Sequence, residues 1–131
     1  MASELRVNTL KDASGNNSIA TSVVFSGTPK SWVNFDQNNA SSTAAIRQSF
    51  NTSGITDEGT GLSAVSYTNN FNYADYGIGS AFNRTGTDDF LNTYYNHTTA
   101  LTNYQHYSSG SSADSDDMGA IVCGDLAWVE H

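Results

Sequence analysis

Cysteine, proline and positive charge are all scarce in this chain, and each shortage closes off a class of protein. The one cysteine, Cys123, allows no intrachain disulfide. It sits in the apolar run MGAIVCGDLAW and reads as an inert buried thiol. Five Lys and Arg stand against 13 Asp and Glu, a formal charge of −8 with a pI near 4.4. Such a surface repels phosphate backbones and anionic lipid, because nucleic-acid binding works through cations that displace condensed counterions. No apolar run approaches the roughly 18 residues of a membrane span. The opening MASELRVNTL has no apolar h-region, so the expectation is synthesis in a cytoplasm with no secretory address. The N-x-S/T matches at Asn16, Asn39, Asn51, Asn83 and Asn96 then read as products of composition rather than glycan acceptors. Helical periodicity is nearly missing too, since few windows place apolar residues at i, i+3, i+4 and i+7.

What fills the space is Ser, Thr and Asn, about a third of 131 residues, together with seven Tyr, six Phe and two Trp. Polar composition with high net charge can signal disorder, but this aromatic content argues for a folded chain, and the length is that of one domain. Alternation and turn residues predict strands throughout. ELRVNTL is extended, SIATSVVF is a β-branched run, and SWVNF and AAIRQSF form a hairpin around a loose DQNNASST tip, with Ile46, Gln48 and Phe50 on one side. Gly59 and Gly61 supply positive φ between Ile55 and the Leu62–Thr68 strand. YGIGSAF, DFLNTYYN, LTNYQHYSS and MGAIVCGDLAW follow as further strands, with Thr87 or Asp88 able to cap one helical turn as the exception. Strands at this spacing predict an all-β fold, an antiparallel, jelly-roll-like β-sandwich over residues 26–131. Residues 1–25 read as an extended N-terminal arm that needs a neighbour to pair with.

The chemistry-bearing cluster lies in NTYYNHTTALTNYQHYSS. Tyr94, Tyr95, His97, Tyr104, His106 and Tyr107 fall on two strands that, if adjacent, could present aromatics for sugar rings while Asn and Thr bond the hydroxyls. Core or subunit packing accounts for the same residues, and the sequence leaves both readings open. His97 and His106 lack the four convergent ligands of structural zinc, Cys123 being in another strand, and His131 reads as a solvated terminal residue. Asp114, Asp116 and Asp117 lack the remaining spacing of a calcium loop and read as a solvated acidic turn. GIGSAF lacks the strand, glycine loop and helix order of a nucleotide site, and no GxSxG elbow occurs. Neither a cofactor nor an enzyme is expected.

Four phrases in fixed order, ELRVNTLKDASGNNSI, SWVNFD, AIRQSFNTSGITDEGTG and a closing AIVCGD, resemble a module of tail-fibre and other virion appendage proteins of tailed bacteriophages, particularly aquatic and marine phages. The similarity spans most of residues 4–68 and returns over 120–125, and the segment 69–117 matches least. The resemblance implies a non-enzymatic, β-structured protein of the virion, commonly a homotrimer, whose N-terminal phrase leads into the particle while the distal part faces outward. Its partners would be its own copies, other virion proteins and a host surface polysaccharide or receptor. A shaftless chain of this length equally suits a capsid decoration or cement protein. Polarity points the same way: without disulfides the core is marginal, and packing against symmetry mates adds buried apolar area at about 25 cal/mol per Å².

Overall fold

In SWVNF every second side chain is driven inward, and the outcome is a strand with Ser31, Val33 and Phe35 buried and Trp32 and Asn34 on the opposite face. The computed structural model describes residues 3–40, 45–82 and 90–127, with backbone alone at 82 and 90–94. Its elements are β1 (Thr9–Lys11), β2 (Ser18–Ala20), α1 (Thr21–Gly27), β3 (Ser31–Phe35), β4 (Ile46–Phe50), β5 (Thr52–Gly59), β6 (Leu62–Tyr67), β7 (Gly77–Phe82), β8 (Phe90–His97), β9 (Leu101–Ser108), β10 (Ser111–Ser112) and β11 (Met118–Cys123). One sheet has the order β4-β3-β11-β7. The other runs β5-β6-β9-β8, with β10 beside the far end of β9. All pairs are antiparallel. This is the all-β sandwich that the sequence indicates, closed by its last strand β11 lying against its first, β3.

The core forms where the inner faces meet. Val33 and Phe35 of β3 and Met118 and Ala120 of β11 pack with Val65 of β6 and Tyr104 of β9, flanked by Ile46, Ile55 and Ile78. A second cluster of Tyr67, Phe71, Tyr76 and Val122 seals one end. Backbone geometry fixes the corners. Asn51, at φ 55, carries the chain from β4 into β5 on the other sheet, and its amide clamps Asn69 by donating to the carbonyl at 3.0 Å and accepting the N–H at 2.7 Å. Gly61, at φ 71, sits so close to β9 that a Cβ there would lie 2.6 Å from the His106 carbonyl, so only glycine fits.

Four local expectations change. The β-branched run SIATSVVF divides: Ser18–Ala20 is the strand β2, and the rest of the run enters the helix α1. Its last carbonyls are gathered by the Lys30 ammonium, which donates to Phe25 O and, at 3.2 Å, to Thr28 O, and which lies 4.8 Å from the Phe25 ring centroid. A cation at the helix C-terminus outweighs the weak propensity of Val23 and Val24. The arm is therefore not simply extended: β1 and β2 form a hairpin, α1 runs past residue 25, and none of residues 3–29 is buried. Ile46 parts company with Gln48 and Phe50, because a bulge between the Asn34 and Phe35 registers turns Ile46 inward opposite Phe35. The DQNNA half of the expected loose tip is ordered, with Gln37 and Ala40 buried and Asp36 accepting from Asn38 N at 2.9 Å; residues 41–44 lie outside the described residues.

Trp32 is on the outer face and 36% exposed, whereas Phe35 is fully buried. Phe35→Ala is expected to lower unfolding free energy by about 3–5 kcal/mol and Trp32→Ala by less than half of that in dilute solution, measured by urea denaturation. Equal losses would contradict the assigned faces.

Candidate functional site

β8 and β9 are neighbours, as the aromatic cluster requires, but pairing divides the six residues between two faces. On β9, Thr102, Tyr104 and His106 point inward and Asn103, Gln105 and Tyr107 outward. Tyr104 is 1% exposed and His106 3%, with His106 Nδ1 2.7 Å from the Ala113 carbonyl. Burial removes both from any receptor surface and assigns them to packing. His97 is half-buried against the Tyr76 ring, centroids 5.3 Å apart. Tyr94 stands opposite Tyr104 in the register, and its side chain lies outside the described residues, as do His131 and the Thr87–Asp88 cap. Tyr95 is the bulged residue between Tyr94 and Asn96; it is 49% exposed, and its hydroxyl accepts from Asn103 Nδ2 at 3.2 Å. Tyr107 is half-buried on the same outer face. Of the expected platform, the exposed Tyr95 and the half-buried Tyr107 and His97 remain accessible among the described side chains, with Tyr95 and Tyr107 on the outer face.

A hydroxyl chain holds the end of the sandwich where β8 turns into β9. In the orientation that uses each proton once, Tyr67 donates to Thr102 Oγ1 (2.6 Å), Thr102 to Tyr76 Oη (2.7 Å) and Tyr76 to the Thr98 carbonyl (2.8 Å). The rings stack edge-on around Phe71, Tyr67 at 4.8 Å between centroids, while Tyr76 lies at 4.5 Å with a tilt.

The acidic turn is a latch rather than a free solvated loop. Asp114 accepts from Gly61 N at 2.6 Å, Asp116 accepts from the Asn38 amide, and Asp117 accepts from Asn34 Nδ2 at 2.6 Å and pairs with Arg47 at 3.0 Å. Between them Ser115 is buried and its N–H donates to Gln37 Oε1 at 3.0 Å, while Gln37 Nε2 reaches Ser63 at 3.2 Å. The three carboxylates thus share no donor and diverge from one another. Among the described residues no group of three His, Cys, Asp or Glu converges as metal ligands.

The most conspicuous surface feature lies elsewhere and was not singled out from the sequence. Cross-strand register places Phe50 opposite Trp32, Trp32 opposite Ile121 and Ile121 opposite Gly79, one row spanning β4, β3, β11 and β7 on the outer face. Phe50 and Ile121 are each 52% exposed. The next row, Gln48, Asn34, Gly119 and Ala81, is small on the β11–β7 side. Trp32, Ile121, Gly79, Ala81 and Gly119 line a groove of about 490 Å³ with an almost wholly apolar surface. Among the described residues its lining holds no acid or base and a single hydroxyl, Ser80, so its chemistry is mainly that of apolar contact. The signal was legible in principle: strands of a sheet wetted on one side alternate, whereas SWVNF and GAIVC carry apolar residues on both faces.

Comparison with known protein families, with curated proteins and with solved structures finds no match to this chain.

Burial holds the Tyr67 and Tyr104 hydroxyls protonated well above their ordinary value of 10.0. For Tyr104 a neighbouring Tyr76 phenolate would add to the effect. Because the folded values are raised, the folded chain binds more protons than the unfolded one above about pH 10, and stability, intact below that pH, falls as pH climbs toward the folded values. Tyr104→Phe should make urea midpoints between about pH 10 and 11.5 decline less steeply than in the parent chain. Identical slopes would contradict the burial of that hydroxyl.

Proposed function

We propose that the chain is a non-enzymatic structural protein of a tailed-bacteriophage virion, a short tail-fibre or appendage component that assembles as a homotrimer and takes part in host attachment. The observation that carries the reading is the outer row of Phe50, Trp32 and Ile121, which crosses three of the sheet's four strands with its apolar side chains toward solvent. A monomer keeps such a surface at a cost in solubility, whereas an assembly buries it. The virion assignment adds the order of sequence phrases described above, most of which fold here into the arm, β3 to β5 and β11.

On this reading, the face around Tyr95 and Tyr107 is the candidate contact with a host polysaccharide. Two phenol rings on a rigid sheet, bordered by Asn and Gln, offer stacking and hydroxyl partners together. Each site would be weak, and three held in one particle would bind by avidity.

Sedimentation velocity of the purified chain tests the assembly, with three times the chain mass expected at micromolar concentration; a single-chain mass across all accessible concentrations would overturn it. For attachment, the double substitution Tyr95→Ser and Tyr107→Ser should reduce binding to host cells at least about tenfold, by loss of multivalent contact, while leaving the assembled mass unchanged. Undiminished adsorption would remove these tyrosines from the host contact.

A further inference from the structure

One part of the fold is free of charge. Residues 59–74 and 90–113 contain none of the five Lys and Arg or 13 Asp and Glu. These stretches hold β6, β8 and β9, which lie side by side in the second sheet. A carboxylate, sulfate or phosphate meets no cation on these three strands, and an ammonium group meets no acid. An uncharged ligand loses nothing by this, because it brings no charge that must leave water without a partner.

On the outer face of that sheet stands Asn103, in register with Ala64 of β6 and Asn96 of β8. Although it points away from the core, it is only 7% exposed. Its Nδ2 donates to the Tyr95 hydroxyl at 3.2 Å, while its Oδ1 is buried with no hydrogen-bond partner among the described residues. Turning the amide over leaves the same deficit, because one hydroxyl serves one of the two amide atoms at a time. A buried amide satisfied on one side alone is destabilising until a donor and an acceptor reach it together. The Tyr95 contact is at the long end of the hydrogen-bond range, and Tyr95 is the half-exposed, bulged residue of β8. Its hydroxyl therefore exchanges Asn103 for water at little cost.

We propose that Asn103 and Tyr95 are the recognition element for an uncharged saccharide bearing two adjacent free hydroxyls. One sugar hydroxyl donates to Asn103 Oδ1 and its neighbour accepts from Nδ2, so both amide atoms are paired at once. The Tyr95 hydroxyl gives way, and its ring lies against the C–H face of the sugar. Tyr107, four residues along β9 and so about 13 Å away, meets a later ring of the same polymer. The inference rests on the reading that this face meets a host polysaccharide, and it names the kind of polysaccharide and the residue that selects it.

Saturation-transfer NMR of the intact chain with short oligosaccharides detects contacts too weak for isolation. Among neutral, uronic-acid, sulfated and amino-sugar probes, transfer should be confined to neutral ones, and methylating one or other of two adjacent hydroxyls in the best neutral probe should abolish it. Transfer confined to charged probes, or indifferent to methylation, would overturn the proposal. Asn103→Asp, which removes the Nδ2 donor, should weaken binding of the neutral probe at least about tenfold, the scale of one lost hydrogen bond. Tyr95→Phe removes the competing hydroxyl but keeps the ring, and should tighten binding severalfold. Matching melting temperatures verify the fold of both variants, and the methylated probes test the same contact on the unaltered chain. Equal weakening by the two substitutions would overturn the displacement of Tyr95. Absence of transfer to every probe would overturn the inference as a whole. Host-cell adsorption of the chain carrying Tyr95→Ser and Tyr107→Ser then tells the two failures apart: a reduction keeps attachment through a ligand that is not a saccharide, and undiminished adsorption ends the attachment role of this face as well.

Discussion

A β-sheet that is apolar on both faces cannot be satisfied by one sandwich. Val33, Phe35, Met118 and Ala120 turn one side of the β4-β3-β11-β7 sheet into the core, and Trp32, Phe50 and Ile121 leave the other side facing water. Each such side chain is roughly half exposed and so forgoes about half of the roughly 1.5–3 kcal/mol that full burial would give. The second sheet is ordinary by comparison, with Val65 and Tyr104 inward and Asn103, Gln105 and Tyr107 outward. The asymmetry between the sheets is what gives the molecule a direction: one outer face carries exposed apolar side chains, the other presents Gln105 and Tyr107 on β9.

Polar groups supply the precision that a small core lacks. The Asp114–Asp117 turn ties β9 to β11 and is held by β3, β4 and the β5–β6 hairpin through the amides of Asn34 and Asn38, the Gly61 N–H and the Arg47 guanidinium. The chain from Tyr67 through Thr102 and Tyr76 does the same at the opposite end. With both ends fastened, the sheet between them is a rigid platform, and a rigid platform loses little entropy when a partner lands on it.

Much of this was legible in the residues. Period-two patterning located β3, β6, β7, β8, β9 and β11, and the positive φ of Gly59 and Gly61 was readable because no other residue suits that hairpin. What the sequence concealed has physical causes. The bulge that flips Ile46 depends on pairing with β3, which is not local to AAIRQSF. The helix α1 depends on Lys30, beyond its own end. The acidic turn looked solvated because its donors, Gly61, Asn38 and Asn34, lie 53, 78 and 83 residues away in the chain. The tyrosine cluster stayed open between packing and surface because strand alternation, which sends Tyr104 in and Tyr107 out, was not applied to it. The same alternation applied to SWVNF would have exposed Trp32.

The central claim is that the outer face of the β4-β3-β11-β7 sheet leaves water when copies meet. Hydroxyl-radical footprinting read by mass spectrometry, across a dilution series of the intact chain, measures this directly. Oxidation at Trp32 and Phe50 should fall severalfold as concentration rises into the associating range, while Tyr95, 49% exposed on β8 of the other sheet, stays constant. Oxidation at Trp32 and Phe50 that is independent of concentration, in a chain that has associated, would show that the copies meet elsewhere and would contradict the account.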